Sequence, residues 1–367
     1  MTDHLMLLLQ DWDIPDPEVS MTSIRLSPSG KEVEAKPGET VLESLENAGY
    51  ALPNNCRAGA CGECKVKVLE GEFDQGMVMD MALSQAERAE GYGLMCMCKP
   101  LSDTLEIDWG TDDAMPKLFP PRENVRCVVV DRIERTDRIA EIRLRPVGDP
   151  LRFWPGQYVS LTDTARSVTP RSYSIANAPR PDGEIVLQIT RVPEGKTSNW
   201  VHDDIHPGSM VNISGPYGTF IGDPGTDGPV LCLAAGTGLA PILSLADAAL
   251  RRGFKQPVHL MFSARTEAEI YCRGLMSLWN ARHRRFKFIP TLTREVKEGV
   301  QSGRIPDIIA DLYPDLSKHA IYIAGSPEFV DNCIAAVTAC GAQGDNIHTE
   351  GFFDQAQPET PASDRLV

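Results

Sequence analysis

One stretch decides the fold of this 367-residue chain, Asn55-Cys56-Arg57-Ala58-Gly59-Ala60-Cys61-Gly62-Glu63-Cys64. Its three cysteines have the spacing C-x4-C-x2-C, and Cys96 supplies a fourth thiol further along the chain. This spacing is typical of the thiolate ligands of a plant-type [2Fe–2S] cluster. The small residues between the cysteines let the loop curl, so that backbone N–H groups can point at the sulfurs and help to set the reduction potential. The sequence therefore predicts a cluster held by Cys56, Cys61, Cys64 and Cys96.

A structural zinc site is the alternative for four cysteines. Such a site more usually shows two C-x2-C pairs, whereas only the Cys61 and Cys64 pair has that spacing within the loop. Cys98 lies two positions after Cys96 and competes with it as the fourth ligand.

The charge of the chain is unevenly distributed. Residues 1–112 hold 8 Lys and Arg against 21 Asp and Glu, a net charge of −13, which leaves −2 of the total −15 for the rest of the chain. An acidic chain is not expected to bind nucleic acid. The acidic segment is either a solvated face or a docking surface for a basic partner, because such fields steer encounter.

The ten cysteines are too few for a disulfide scaffold, which favours a reducing, cytoplasmic location. The apolar run Leu5–Leu9 is too short for a signal peptide and follows an aspartate. The uncharged run 228–246 contains Gly-Thr-Gly and a proline, which is typical of a buried strand turning into a helix rather than of a membrane span. No membrane partner is expected.

Residues 21–112 show the pattern of a small mixed domain. Two alternating segments, 23–26 and 32–35, predict a hairpin, and Thr40 with Glu43 predicts a capping box for a helix over 41–48. A strand over 65–69, a second helix over 84–90 and a strand over 105–107 complete the pattern. This order resembles the plant-type ferredoxin domain, a β-grasp fold. The resemblance implies that the fourth ligand is Cys96, since the family places it in a Leu-x-Cys segment ahead of a proline.

Residues 1–20 are interpreted as a tail and residues 113–123 as a semi-rigid, proline-containing linker. In residues 124–225, short strands predict a small antiparallel barrel, at 125–133, 140–145, 157–161, 184–190 and 210–213. The segment Arg171-Ser172-Tyr173-Ser174 presents a cation, an aromatic ring and a hydroxyl on one strand. This set suits a flavin, with Arg171 on the pyrophosphate, Tyr173 on the ring system and Ser174 at its polar edge.

The segment Gly195-Lys196-Thr197-Ser198 predicts a helix start, where exposed N–H groups and the hydroxyls of Thr197 and Ser198 would receive phosphate. It is not a nucleoside-triphosphate loop, because Thr190 occupies the position of the first glycine. The order and spacing of these two segments resemble the flavin domain of the ferredoxin–NADP reductase family. The resemblance implies FAD, with FMN as the alternative.

Residues 226–353 predict an α/β domain that binds a nicotinamide dinucleotide. A buried-strand run over 229–235 leads into Gly236-Thr237-Gly238 and a helix containing Pro241, an arrangement that receives pyrophosphate in doubly wound sheets. The third glycine of the general fingerprint is missing, but the segment resembles the Gly-Thr-Gly-x-Ala-Pro segment of the same reductase family. Further strands are expected at 258–262, 286–290 and 320–324. A tail is expected over 354–367.

Two more segments carry the same resemblance. Ala324-Gly325-Ser326-Pro327 is similar to the family's Cys-Gly-Pro-Pro segment, with Ala324 in place of a cysteine that lies beside the nicotinamide. His348-Thr349-Glu350-Gly351-Phe352 is similar to the acidic–aromatic terminus, which implies that Glu350 and Phe352 approach the flavin. The resemblance assigns catalytic roles to Ser174 and Glu350.

The choice between NADH and NADPH stays open at this point. Arg265, Arg294 and Arg304 fall where NADPH-using relatives carry cations for the 2′-phosphate, whereas Glu267 is of the kind that binds a ribose hydroxyl. Reductases with the cluster domain first mostly use NADH, and this precedent favours NADH.

The three predicted modules can form an electron-transfer chain. A nicotinamide gives two electrons as a hydride, a [2Fe–2S] cluster accepts one at a time, and a flavin does both, so the flavin must lie between them. The domain order resembles the reductase components of bacterial aromatic-ring dioxygenases and multicomponent monooxygenases. The implied partner is an oxygenase component or a Rieske ferredoxin. Two alternatives remain: a reductase of the same layout that serves a deoxysugar dehydratase, and a redox sensor that binds cofactors without turnover.

Overall fold

The computed structural model describes residues 21–223 and 225–352. The predicted tails, 1–20 and 354–367, lie outside the described residues. The described chain falls into two compact units, one formed by 21–44 with 65–114 and the other by 45–64 with 115–352. The cysteine loop therefore belongs to the same unit as the flavin and nicotinamide modules.

The first unit contains a five-stranded mixed sheet in the order β2-β1-β7-β3-β5 and a two-stranded sheet of β4 and β6. The predicted hairpin is confirmed, with Ile24 opposite Val33. Thr40 and Glu43 form the expected capping box at the start of the first helix. The elements of this part of the chain are β1 (Thr22–Ser27), β2 (Lys31–Ala35), α1 (Val41–Asn47), β3 (Lys65–Glu70), β4 (Phe73–Asp74), α2 (Gln85–Ala89), β5 (Tyr92–Leu94), β6 (Lys99–Pro100) and β7 (Thr104–Asp108).

The second unit contains an antiparallel sheet in the order β11-β10-β13-β8-β9-β12. A bridge between Ile175 and Leu187 joins its two ends, so the sheet curls into the predicted barrel around a core that includes Val159, Ile142 and Ile213. The strand β8 is longer than predicted and begins at Arg122. The elements are β8 (Arg122–Thr136), β9 (Ile139–Pro146), β10 (Tyr158–Asp163), β11 (Arg171–Ser174), β12 (Ile185–Thr190), α3 (Lys196–Asp203) and β13 (Met210–Tyr217).

The same unit contains a six-stranded parallel sheet in the order β17-β16-β15-β14-β18-β19. The order reverses at β14, which places the turn after this strand at the switch point where doubly wound sheets bind ligands. The elements are β14 (Val230–Ala235), α4 (Leu239–Arg251), β15 (Val258–Ala264), α5 (Arg273–Arg282), β16 (Phe286–Leu292), β17 (Gln301–Ser302), α6 (Ile305–Leu312), β18 (Ala320–Gly325), α7 (Pro327–Ala339) and β19 (Ile347–Gly351). A 3-10 turn, Gly236–Gly238, joins β14 to α4.

The expected architecture is confirmed: a small mixed-sheet domain, an antiparallel barrel and a doubly wound α/β domain. Across the described ranges, none of the helices is both long and apolar enough to cross a bilayer.

Candidate functional site

A cavity of about 840 Å³ opens in the second unit, within the size range of ligand pockets in proteins. Its walls come from the barrel strands β10, β11 and β12, from the start of α3, from the turn before α4, and from the end of β19. The cavity brings together nine residues that the sequence predicts for the flavin and nicotinamide sites: Arg171, Tyr173, Ser174, Gly195, Thr197, Ser198, Thr237, Glu350 and Phe352.

Ser174 and Glu350 meet at the wall of this cavity. The Ser174 hydroxyl donates to Glu350 Oε1 at 3.4 Å, and both residues are buried. Glu350 Oε2 is buried and has no hydrogen-bond partner among the described residues. Burial raises the pKa of the Glu350 carboxyl to about 8, and the hydrogen bond from Ser174 opposes that rise only in part. The pair can therefore hold a proton near neutral pH at the edge of the cavity.

Arg171 and Tyr173 lie on β11, two positions apart, so that both side chains face the cavity. Burial is the largest effect on the Tyr173 hydroxyl and raises its pKa to about 12, so this ring is a neutral surface. A flat aromatic face beside a guanidinium is the combination expected for a flavin ring and its pyrophosphate.

The start of α3 forms another part of the wall. Gly195 is its N-cap residue and offers no side-chain cap. The hydroxyls of Thr197 and Ser198 are already engaged, since Thr197 donates to the carbonyl of Thr169 and Ser198 donates to that of Gly195 at 3.1 Å. The backbone N–H groups of the first helical turn are therefore the better phosphate donors, although the sequence had pointed to the hydroxyls as well.

The turn Gly236–Gly238 lies directly against the end of β18. A Cβ atom built on Gly238 would lie 2.1 Å from the carbonyl oxygen of Ala324, so only glycine permits this approach. Pro241 occupies the first turn of α4, where its missing N–H costs nothing. Gly325 ends β18 and accepts a hydrogen bond from the Phe352 N–H at 2.8 Å. The predicted nicotinamide segments thus meet at one edge of the sheet.

The three arginines considered for a 2′-phosphate differ in their surroundings. Arg265 is paired with Glu269, and Arg304 lies 3.7 Å from Glu328. Arg294 is joined to Arg265 only through a backbone hydrogen bond, and its guanidinium has no acidic partner among the described residues. Glu267 is engaged by both Lys297 and Arg273. Of the three arginines, Arg294 is therefore the one whose charge is not already balanced.

The cysteine loop has the geometry of an anion nest around Cys56. Its sulfur accepts hydrogen bonds from the N–H groups of Ala58, Ala60 and Cys61 at 3.3–3.4 Å. A hydrogen bond from the Cys61 side chain is the largest cause that lowers the pKa of the Cys56 thiol, to about 5. The same hydrogen bond raises the pKa of the Cys61 thiol that donates it. A thiolate at Cys56, held by three N–H groups, fits the ligand chemistry of an iron–sulfur cluster.

Cys96 and Cys98 are the two candidates for the fourth ligand of the cluster. Cys96 is 8% exposed, and Cys98 is fully buried. The Cys98 thiol donates to Gln75 Oε1 at 3.5 Å, and burial raises its pKa. Within the described ranges, no group of three or more His, Cys, Asp or Glu side chains is gathered closely enough to hold a metal ion. The ligand set Cys56, Cys61, Cys64 and Cys96 therefore stays a prediction, based on spacing and on the loop.

Several wall residues carried no motif in the sequence. Tyr158 has a buried hydroxyl without a partner among the described residues. Gln188 accepts from Tyr271, whose hydroxyl also lies 2.9 Å from the carbonyl of Gly236. Asn55 and Cys56, which belong to the cysteine motif, also line the cavity. Only the folded chain brings these residues together, so no local pattern could have placed them at this cavity.

Three family models match the chain in succession. The 2Fe-2S iron-sulfur cluster binding domain matches residues 24–101, the oxidoreductase FAD-binding domain matches 126–221, and the oxidoreductase NAD-binding domain matches 232–334. These matches assign a [2Fe–2S] cluster, FAD and a nicotinamide dinucleotide as the cofactors.

The chain is also similar over most of its length to proteins of known activity. It is 34% identical to the reductase subunit of an aromatic O-demethylase from an Amycolatopsis species, over 92% of this chain and 99% of that protein. It is 32% identical to the ferredoxin–NAD(P)+ reductase component of naphthalene 1,2-dioxygenase/salicylate 5-hydroxylase systems from a Ralstonia species, over 89% and 98%. The crystal structure of the Amycolatopsis cytochrome P450 reductase GcoB superposes with a TM-score of 0.82, at 31% identity over 90% and 98% of the two chains. The chain therefore belongs to the three-module group of the ferredoxin–NADP reductase family, together with these reductase components of oxygenase systems.

Proposed function

We propose that this chain is the reductase component of an oxygenase system and transfers electrons from NADH, by way of FAD and its own [2Fe–2S] cluster, to a separate oxygenase component or Rieske ferredoxin. One observation carries this proposal. A single cavity is lined by the flavin-facing strand β11, by Thr237 of the nicotinamide turn and by Cys56 of the cysteine loop. All three cofactors can therefore approach one another at one place.

The bound cofactors would supply hydride acceptance from nicotinamide and one-electron transfer to the cluster. The chain would position the cofactors and hold a proton beside them. Arg171 and the N–H groups at the start of α3 would bind the flavin pyrophosphate, and Tyr173 would pack against its ring system. The turn Gly236–Gly238 would hold the nicotinamide pyrophosphate. Ser174 and Glu350 would hold a proton at the cavity edge, where the reacting ring belongs.

The nature of the partner follows from the charge and from the relatives. One relative serves an aromatic O-demethylase and the other serves naphthalene 1,2-dioxygenase/salicylate 5-hydroxylase systems, at nearly equal identity to this chain. The partner class that both share is an oxygenase component. The net charge of −13 on residues 1–112 supports a docking face for a partner with a basic surface. Ten cysteines without a disulfide support a cytoplasmic location.

The preference for NADH is supported by the paired state of Arg265 and Arg304, because two of the three cations considered for a 2′-phosphate already face carboxylates. Arg294 is the remaining cation of the three for a 2′-phosphate.

The decisive experiment uses the purified full-length protein. Iron, acid-labile sulfide and flavin are quantified, and NADH oxidation is followed with ferricyanide and with cytochrome c. We expect about two irons and one FAD per chain, because one [2Fe–2S] cluster contains two irons. We also expect NADH oxidation with both ferricyanide and cytochrome c. Zinc in place of iron, or bound cofactors without turnover, would contradict the proposal.

A further inference from the structure

The cysteine loop is joined to the rest of its unit on both sides of Cys56, once at the end of β19 and once at the barrel strand β13. On one side, Asn55 Nδ2 donates to the carbonyl of Gly351 at 2.7 Å. This carbonyl belongs to the last residue of β19, between Glu350 and Phe352, which both line the cavity. Of the ten cysteines, all of which lie in the described ranges, Cys56 alone lines that cavity.

On the other side, Arg57 is sandwiched between two fixed partners. Its Nη1 donates to both carboxylate oxygens of Glu46 at 2.6 Å, and Glu46 is only 4% exposed. Its guanidinium carbon lies 4.4 Å from the centre of the Tyr217 ring, which is a cation–π distance. Tyr217 ends the barrel strand β13, and its ring lies 5.8 Å from that of Tyr158, a wall residue of the cavity.

The backbone of Arg57 supports a positional role as well. Its φ of +51° lies in the left-handed region, which is uncommon for a residue other than glycine, asparagine or aspartate. This conformation turns the following N–H groups toward the Cys56 sulfur, and the side chain is locked at the same time by Glu46 and Tyr217. The loop geometry and the contact with the barrel are thus set by one residue.

We propose that Asn55, through the end of β19, and Arg57, through the barrel strand β13, dock the cysteine loop at the wall of the cavity, so that Cys56 is the ligand through which electrons enter the cluster, and that Tyr217 is the positioning residue that holds Arg57 there. This inference rests on the proposed role of Cys56 as a cluster ligand. Tyr217 acts through Arg57, and its hydroxyl donates to Glu123 rather than to a cysteine or a predicted flavin-binding residue, so it is a positioning residue and not a catalytic one.

The test compares Tyr217→Leu with Tyr217→Phe in the full-length protein loaded with iron and flavin. Both variants lose the hydrogen bond that the Tyr217 hydroxyl donates to Glu123. The phenylalanine ring keeps the cation–π surface, whereas leucine removes it without changing any charge. After rapid mixing with NADH, flavin reduction and cluster bleaching are followed separately. A desolvated cation–π pair corresponds to about a thirtyfold change in the docked population. We expect cluster bleaching to slow by up to that factor in Tyr217→Leu, while flavin reduction and ferricyanide turnover stay normal, and Tyr217→Phe to behave as the parent protein.

Two further readouts do not depend on activity. Amide hydrogen exchange of a peptide spanning 51–64 should accelerate in Tyr217→Leu and in Asn55→Ala, which removes the other contact, but not in Tyr217→Phe. The midpoint potential of the cluster should be unchanged in Tyr217→Leu. If Tyr217→Leu fails to load its cluster, the same two measurements on Asn55→Ala test the docking of the loop through its other contact.

Normal cluster bleaching and normal hydrogen exchange in both Tyr217→Leu and Asn55→Ala would overturn the inference. A slower rate that is fully accounted for by a shifted cluster potential would overturn it too, because the effect would then be electronic rather than positional. Failure of the proposed function is distinguishable, since in that case the cluster of the parent protein would not be reduced by NADH at all.

Discussion

At the scale of single residues, Glu350 is the most unusual ionisable group of the cavity. It is a carboxyl group with one hydrogen-bond donor, Ser174, and a second oxygen that is buried without a partner among the described residues. A carboxylate in such a place lacks the solvation that it would have in water, so the neutral acid is favoured. With a pKa raised to about 8, the group can accept or release a proton near neutral pH.

The raised pKa of Glu350 predicts how stability changes with pH. Between its ordinary pKa of 4.5 and the folded value of about 8, the folded chain retains a proton that the unfolded chain loses. Stability should therefore fall as the pH rises through this window, by an amount on the order of a few kcal/mol. Glu350→Gln removes this contribution. Thermal unfolding of both proteins is measured from about pH 5 to about pH 9, and the stability of the variant relative to the parent should increase as the pH rises. Parallel stability curves would mean that the carboxyl is ionised in the folded protein.

Arg294 predicts the selectivity between the two nicotinamide cofactors. Because its guanidinium has no acidic partner in the described chain, it is available to a 2′-phosphate. A hydrogen bond to a charged group is worth about 1.5–3 kcal/mol, so Arg294→Ala should lower kcat/KM for NADPH by about 10- to 100-fold and that for NADH much less. Arg304→Ala is the control, because Arg304 already faces Glu328. Equal losses with both cofactors would remove Arg294 from the phosphate site.

At the scale of elements, the sequence predicts well whatever depends on neighbours along the chain. The strand–turn–helix over β14, Gly236–Gly238 and α4 was identified because its buried run, glycines and proline are contiguous. The capping box of Thr40 and Glu43 was identified for the same reason. The contact of Arg57 with Tyr217 could not be predicted, since it joins a loop to a strand far away in sequence. The engaged hydroxyl of Thr197 also depends on a distant carbonyl, that of Thr169.

Two glycines, Gly238 in the turn between β14 and α4 and Gly274 in α5, allow predictions of opposite sign. A Cβ at Gly238 would clash with the backbone of Ala324 and Gly325, so Gly238→Ala should destabilise the protein by about 1–3 kcal/mol or more and raise the KM for NADH. Gly274 lies in α5 with open space around its Cβ position. Gly274→Ala should therefore be neutral or stabilising by up to about 1 kcal/mol. Thermal unfolding and NADH kinetics measure both; a tolerated Gly238→Ala would show that the turn can move away from β18.

At the scale of the whole molecule, the chain converts a two-electron donor into a one-electron outlet. The order of the three family models along the chain matches the order that this chemistry requires, with the flavin module between the other two. The acidic charge is concentrated on residues 1–112, whereas the rest of the chain is close to neutral. A partner that takes single electrons would thus meet a strongly acidic module, while the nicotinamide dinucleotide, itself an anion, binds where the chain is less acidic.

Because the flavin and the cluster reduce different acceptors, substitution of one cluster cysteine should separate the two reductase activities. Cys61→Ser should abolish reduction of cytochrome c, which draws electrons from the cluster, and spare much of the reduction of ferricyanide, which the flavin performs directly. Cys98→Ser is the matched control: its thiol is fully buried and bonded to Gln75, so the variant should keep its iron and both activities. The two assays are run on proteins of equal flavin content. Loss of both activities in Cys61→Ser would assign the cluster a structural role, and loss of iron in Cys98→Ser would make Cys98, rather than Cys96, the fourth ligand.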